Sequence, residues 1–397
     1  MWAGKEGMPQ LSSWGSVTRM AADYRAPAET ELETIDININ VGPQHPATHG
    51  VFRMVLTVDG EVETDMDPVI GYMHRGNEKL PENCDYRQVI GYHDRTDYLA
   101  QFNTEHCFVE AVEKLTGIRP PERAEYIRVI LAEMNRIASH LMFMGAFGTD
   151  IGLLGTSFMY AFRDRETIQD FFEEITGERM MYNYFRPGGV AWDVPEDFRE
   201  RCRQVLSQIT RGLQDQDGLM MGNEVVLARC RGLNPVSQED AINWGLTGPM
   251  LRATGLKHDI RRAEPYSIYD RFEFEIPTGS QGDVYDRLAV RLEEMRQSTR
   301  IVEQALEGMP EGPIMAEGMK RILRVPPGEI YMRVESPRGE YGVYLVANGS
   351  DKPYRHKVRG ASFSNLSALR AMCVGHYVAD VITILGSIDI VLCEVDR

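Results

Sequence analysis

Four clusters of titratable side chains have the residue types and spacing to do chemistry. His45 and His49 lie four apart in Gly42-Pro-Gln-His-Pro-Ala-Thr-His-Gly50. Pro46 and the flanking glycines put them on a stiff loop, where imidazoles can hold a metal or present a proton to a substrate. No third carboxylate or thiol stands nearby, so a metal site has little support, and the plain alternative is loop histidines bonded to backbone. Gly71-Tyr-Met-His-Arg-Gly-Asn-Glu-Lys79 gathers His74, Arg75, Glu78 and Lys79, and reads equally as a solvated turn leading into a helix. Tyr92-His-Asp-Arg-Thr-Asp-Tyr98 sets a phenol beside Arg95 and Asp97; that phenol can donate a proton or simply pack at a helix start. Arg163-Asp-Arg165-Glu166 reads as an exposed salt-bridge face, each pair contributing only tenths of a kcal/mol, about 0.3–0.5, if solvated.

Other chemistry loses its usual support. The six cysteines stand at least twenty residues apart, with no C-x-x-C, so a local zinc or iron–sulfur motif has no support. Scattered thiols fit a reducing compartment better than a disulfide framework. The series Gly145, Gly148, Gly152, Gly155 is neither a phosphate loop nor a dinucleotide fingerprint, and H-E-x-x-H and G-x-S-x-G are missing. Acidic residues outnumber basic ones 59 to 43, a formal charge of −16, which opposes binding to nucleic acid or to an anionic lipid surface. The N-terminus has no apolar run of signal-peptide type, and Tyr377–Cys393 is interrupted by Asp380, Gly386 and Asp389, too polar for a membrane span.

The elements that must position these clusters follow from periodicity. Residues 1–33 show no period and read as a mobile N-terminal extension. Ile35, Ile37, Ile39 and Val41 alternate as a half-buried strand; Val51–Val58 and Glu61–Met66 predict two more, joined at Asp59-Gly60 by a type I′ turn. Helices are expected over Tyr98–Leu115, Glu122–Phe147, Phe158–Ile175, Pro195–Leu213 and Val284–Leu306, with Pro at starts and Gly past ends. Residues 231–281 read as irregular. Strands return at Ile330–Val334, Gly342–Val346 and Tyr354–Arg359. Strands, then helices, then strands predict an α+β protein: an N-terminal antiparallel sheet (34–70), a central long-helix bundle (71–320), and C-terminal strands with a terminal helix (321–397).

Taken in order, the motifs resemble a known family. Gly42-Pro-Gln-His-Pro-x-x-His-Gly50 is followed by Ile70-Gly-Tyr-x-His-Arg-Gly-x-Glu-Lys79, Asp94-Arg-x-Asp-Tyr98 and Asn135-Arg-x-x-x-His140. Phe162-Arg-x-Arg-Glu166, Arg186-Pro-Gly-Gly189, Leu246-Thr-Gly-x-x-Leu-Arg-x-x-Gly255, Glu335-Ser-Pro-Arg-Gly-Glu340 and Gly386-Ser-Ile-Asp389 come after. From about residue 35 onward the chain resembles the D-subunit family of bacterial respiratory complex I, the proton-pumping NADH:quinone oxidoreductase. That family is related to the large subunit of nickel–iron hydrogenases.

The resemblance implies a hydrogenase-large-subunit-like fold and a quinone headgroup site shared with the B subunit, whose iron–sulfur cluster delivers the electrons. It implies that His49 and Tyr98 donate to the headgroup, that Asp150 is the carboxylate partner of His49, and that Arg75 and Arg95 lie near the partner's cluster without ligating it. The expected neighbours are the B, C and I subunits and the membrane-embedded H subunit, on the cytoplasmic face of the cell membrane, with no cofactor or metal bound by this chain alone. Two departures stand out. Met181 aligns where many relatives carry a histidine associated with the cluster's pH-dependent potential, and Cys393 stands where glycine is common. The two C-x-x-C motifs of a nickel site are missing, which sets hydrogenase activity aside. A ferredoxin-linked quinone oxidoreductase with the same module, and a scaffold protein without catalytic donors, remain as alternatives.

Overall fold

The computed structural model describes residues 35–153 and 155–397; the proposed extension over 1–33 lies outside them. Strands β1 (Ile37–Val41), β2 (Arg53–Asp59) and β3 (Val62–Val69) form an antiparallel sheet in that order. Asp59 pairs with Val62, so the hairpin loop is Gly60-Glu61. Only Gly60 has positive φ (63°), which does not meet the I′ requirement for both central residues and corrects that expectation. A second correction concerns β1. Met54, Leu56 and Val58 of β2 are buried, but Ile37 and Ile39 beside them are 58% and 36% exposed. β1 is the sheet edge, and along its inward side Val41, at the end of the strand, is part-buried against the core while Ile37 and Ile39 are left exposed.

Six long helices follow: α1 (Tyr86–Thr96), α2 (Gln101–Thr116), α3 (Glu122–Asp150), α4 (Ser157–Thr176), α5 (Phe198–Gln216) and α6 (Val284–Gly308). Periodicity did not reveal α1, although Asp85 and Gln88 form a capping box at its start. It also placed the start of α2 too early: Tyr98 sits in the turn between α1 and α2, not on a helix. α3 opens after Pro121 with Glu122 and Glu125 in its first turn, favourable to the helix dipole, and runs one turn past the expected Phe147 to end at Asp150. α5 starts at Phe198 and passes into a π-helical turn over Asp217–Met221. Short helices at Gln238–Asn243, Pro249–Ala253 and Ile260–Ala263 interrupt the irregular region. The pair Arg163-Asp164 is not a wholly solvated face. Asp164 is fully buried where α4 meets α5, so close to Gly212 that a Cβ there would lie 1.9 Å from its Oδ2.

The last sheet is β4 (Gly328–Ser336), β5 (Gly339–Ala347) and β6 (Arg355–Arg359), antiparallel throughout. Four helices rather than one terminal helix then close the chain; the longest, α7, spans Val378–Ile388, and Leu392–Asp396 is the last. Two hydrophobic cores result. One fills the space among α1–α6 and β4–β6; the other lies between the N-terminal sheet and the C-terminal helices around Leu56, Met66, Ile384 and Leu392.

Candidate functional site

A cavity of about 320 Å³ opens where the two cores meet. Met142, Phe143, Ala146 and Asp150 of α3 form one wall, and Gly50, Ile390 and Val391 from the sheet side form another. His49, Tyr98 and Asp389 complete the polar lining. A mostly apolar cleft with a few convergent polar groups suits a small organic ligand.

His49 is held by its loop. Pro46–Thr48 make a single 3₁₀ turn in which His45 Nδ1 accepts from Ala47 N at 3.2 Å, and Thr48 Oγ1 donates to His45 O at 2.7 Å. His45 is thus a capping residue, the plain reading. His49 ends the turn in the left-handed region (φ 49°, ψ 37°), and its Nε2 lies 2.7 Å from Asp150 Oδ2. Asp150 stands at the C-terminus of α3, where the helix dipole disfavours a carboxylate and an imidazole N–H offsets that repulsion. Gly386 on α7 leaves room for it, since a Cβ there would lie 2.9 Å from Asp150 Oδ2.

Tyr98 is pinned from behind. Asp97 is fully buried, accepts from Leu99 N, and takes two hydrogen bonds from Arg338 Nη1 at 2.9 and 3.1 Å. Burial raises the Tyr98 phenol above its ordinary pKa, the neighbouring Cys393 thiol adds to this, and the Arg338 guanidinium opposes it. The phenol therefore keeps its proton at neutral pH. Arg338 occupies the two-residue β4–β5 turn, where Gly339 packs on Gly248 so tightly that a Cβ on Gly248 would lie 2.4 Å from Gly339 Cα. Sequence reasoning gave no role to Asp97, Arg338 or Asp389; Glu335-Ser-Pro-Arg-Gly-Glu340 was the signal for Arg338.

The other clusters lie away from the cavity lining. The Gly71–Lys79 segment is tied to the C-terminus: Gly71 N and Met73 N donate to the Asp396 carboxylate, and His74 Nδ1 lies 2.7 Å from Asp396 O. Arg75 and Arg95 are exposed and adjacent. Arg75 Nη2 donates to Arg95 O at 3.0 Å and Arg95 Nη1 to Gly91 O at 2.8 Å, and neither pairs with a carboxylate among the described residues. Met181, part-buried, begins the segment whose Asn183, Tyr184 and Phe185 amides donate to buried Asp94 and Glu105.

Behind the cavity runs a buried charged network. Glu133 of α3 accepts from Arg136, Arg261, Tyr269 and Ser298, and is held down at about 2 by those partners against burial. His140 Nε2 lies 2.9 Å from Glu294, which also pairs with Arg252; Arg252 in turn pairs with Glu335.

Comparison with known proteins settles the family. The model of the respiratory-chain NADH dehydrogenase 49-kDa subunit matches residues 150–324 and 317–397. The NADH-quinone oxidoreductase D subunit of Carboxydothermus hydrogenoformans is 52% identical over 365 residues, covering 92% of this chain and 100% of the relative. The chain belongs to the NADH-quinone oxidoreductase D-subunit family. Its members from Dehalococcoides mccartyi and Magnetococcus marinus are 52% and 46% identical, covering 92% and 90% of this chain and 100% and 96% of their own. The α+β architecture, with small antiparallel sheets flanking the helices, fits the hydrogenase-large-subunit-like fold expected of a D subunit. Among the described residues no group of three or more His, Cys, Asp or Glu is placed to hold a metal ion, and no helix is long and apolar enough to cross a membrane.

Proposed function

We propose that the cavity binds the headgroup of a quinone at the junction with the B subunit, whose iron–sulfur cluster supplies the electrons. The observation that carries this is the convergence on one apolar cavity of the Tyr98 phenol and a His49–Asp150 pair 2.7 Å apart. Quinone reduction takes two electrons and two protons, and donors at the two carbonyl oxygens stabilise the developing negative charge. Tyr98 gives one phenolic proton. With Nε2–H on Asp150, His49 gives the second from Nδ1 as an imidazolium and remains neutral afterwards, its tautomer fixed by the carboxylate. The experiment is quinone reduction by the assembled Tyr98→Phe complex beside reduction of an artificial acceptor; unchanged quinone turnover rejects the assignment.

The same pair supports a role in proton pumping. Loss of the His49 proton leaves Asp150 facing a neutral ring, an electrostatic change at the end of α3 that neighbouring subunits, the membrane-embedded H subunit among them, can read. Asp150→Asn removes that change. Its expected effect is a lower proton-to-electron ratio, measured in reconstituted vesicles; a wild-type ratio at normal turnover would sink the coupling role.

Arg75 and Arg95 form the face toward the B-subunit cluster, where exposed cations favour its reduced, more negative state. Met181 cannot titrate, so the cluster's potential depends weakly on pH. Met181→His is expected to steepen it toward about 59 mV per pH unit, one proton per electron. A redox titration at several pH values decides, and an already steep wild-type slope contradicts the reading. The chain sits in the peripheral arm on the cytoplasmic face of the membrane, beside the C and I subunits.

A further inference from the structure

Three titratable side chains packed behind the turn that carries Tyr98 have no part in the donor chemistry above. His93 of α1 lies 2.9 Å through Nδ1 from the Tyr341 hydroxyl on β5, and 2.9 Å through Nε2 from His356 Nε2 on β6. Both rings are 1% exposed, and His93 stacks on Phe108 of α2 with ring centroids 4.6 Å apart. Neither ring pairs with a carboxylate among the described residues. The acids nearest His356 are Glu78, bonded to Lys357, and Glu82, bonded to Lys79 and Arg355. Burial pushes His356 down to about 4, and burial together with the facing His356 ring lowers His93 well below its ordinary range. The pair is therefore neutral at pH 7. One further proton makes an uncompensated buried cation, and a second sets N–H against N–H at 2.9 Å.

Position gives this cluster a task. Tyr341 and Arg338 belong to one hairpin, and they hold His93 and Asp97, four apart and so on one face at the end of α1. Tyr98 is the next residue. We propose that the His93–His356 pair is an acid-sensitive latch and His93 a positioning residue: with both rings neutral it clips the end of α1 to the C-terminal sheet and keeps Tyr98 in the cavity wall, and on protonation it lets that end loosen. The folded values lie below the ordinary 6.5, so the latch is complete above about pH 6.5 and weakens as pH falls toward 4. The protons come from solvent and return to it on neutralisation. What a displaced Tyr98 costs rests on the headgroup reading above; the latch itself does not.

Amide hydrogen exchange in the assembled complex reads the latch directly. Between pH 7 and 5.5, after correction for intrinsic rates, protection over Tyr86–Leu99 is expected to fall about tenfold, the linkage of one histidine that titrates near 6.5 only once released. Glu122–Ile137 of α3 carries no histidine and is the reference. In the double variant His93→Gln, His356→Gln the amides keep donors and acceptors but cannot titrate, and the fall is expected to vanish. An equal change in the two wild-type segments, or the same fall in the variant, overturns the proposal; should the variant not assemble, the wild-type comparison decides alone. Over the same step the wild-type quinone KM is expected to rise several-fold while reduction of an artificial acceptor holds steady. An unchanged KM while α1 loses its protection overturns the positioning role. Failure of the headgroup reading looks different: α1 then loosens in acid as expected, yet Tyr98→Phe leaves quinone turnover intact.

Discussion

In Tyr98→Phe, quinone reduction is expected to fall by about 10²-fold or more while electron transfer to an artificial acceptor stays at the wild-type level. The size follows from what the phenol supplies. Proton donation by a positioned side chain contributes about 10²–10⁴-fold, and a hydrogen bond aimed at developing charge in a cavity that excludes water is not replaced by solvent. Phe conserves the ring that packs beside Leu99 and leaves Asp97 and Arg338 joined, so assembly is expected to survive. The artificial acceptor takes electrons before the cavity and reports that survival. Burial keeps the phenol protonated at neutral pH, so the loss persists between about pH 6 and 8 and does not mimic a titration.

Glu133→Gln has the largest expected effect on stability. The carboxylate is wholly buried and serves Arg136, Arg261, Tyr269 and Ser298 at once, so neutralising it takes from buried Arg136 its one carboxylate partner among the described residues and leaves Arg261 with Asp259 alone. Breaking a buried ion pair by removing one partner costs about 3–5 kcal/mol. We expect a large fall in recovered complex and in its Tm, whereas Glu303→Gln on an exposed face of α6 changes neither. Equal Tm values would show that the network adds nothing to stability. The pH dependence has a definite sign. Glu133 is held at about 2 against an ordinary 4.5, so its stabilisation is complete above about pH 4.5 and is lost as pH falls toward 2. Acid unfolding of wild type is therefore steeper through that window than that of the variant.

Local pattern made the long elements legible. The apolar period of α3, Pro121 before it and Gly117 after α2 marked helices within a few residues, and the turn residues between them, Asp59-Gly60 among these, marked β2 through β6. α1 escaped because Tyr86–Thr96 mixes charged and apolar residues with no clean stripe, its capping box being the only clear signal. β1 looks half-buried in sequence because alternation reports which side is apolar, not whether anything lies against it. The same limit holds for charge. Asp164, Glu133 and Arg338 look like ordinary surface residues in sequence, and only the approach of distant segments shows that they are buried. His49, Tyr98 and Asp150 were placed by family motifs; neither spacing nor composition brings together residues 101 positions apart. Asp389 and Arg338 stood inside quoted motifs, yet their meeting depends on a turn and a helix end that pack only in the finished fold.

The His49–Asp150 bond joins units that bury their apolar surfaces separately. His49 rides on the loop of the sheet with the smaller core, and Asp150 closes a helix belonging to the larger one. Each core is held by many side chains, and at the cavity the 2.7 Å His49–Asp150 contact joins them beside the longer Arg338–Asp389 contact. Widening the gap by about an ångström is enough to break it. The length of this contact is therefore the most sensitive local measure of how far apart the two walls of the cleft stand.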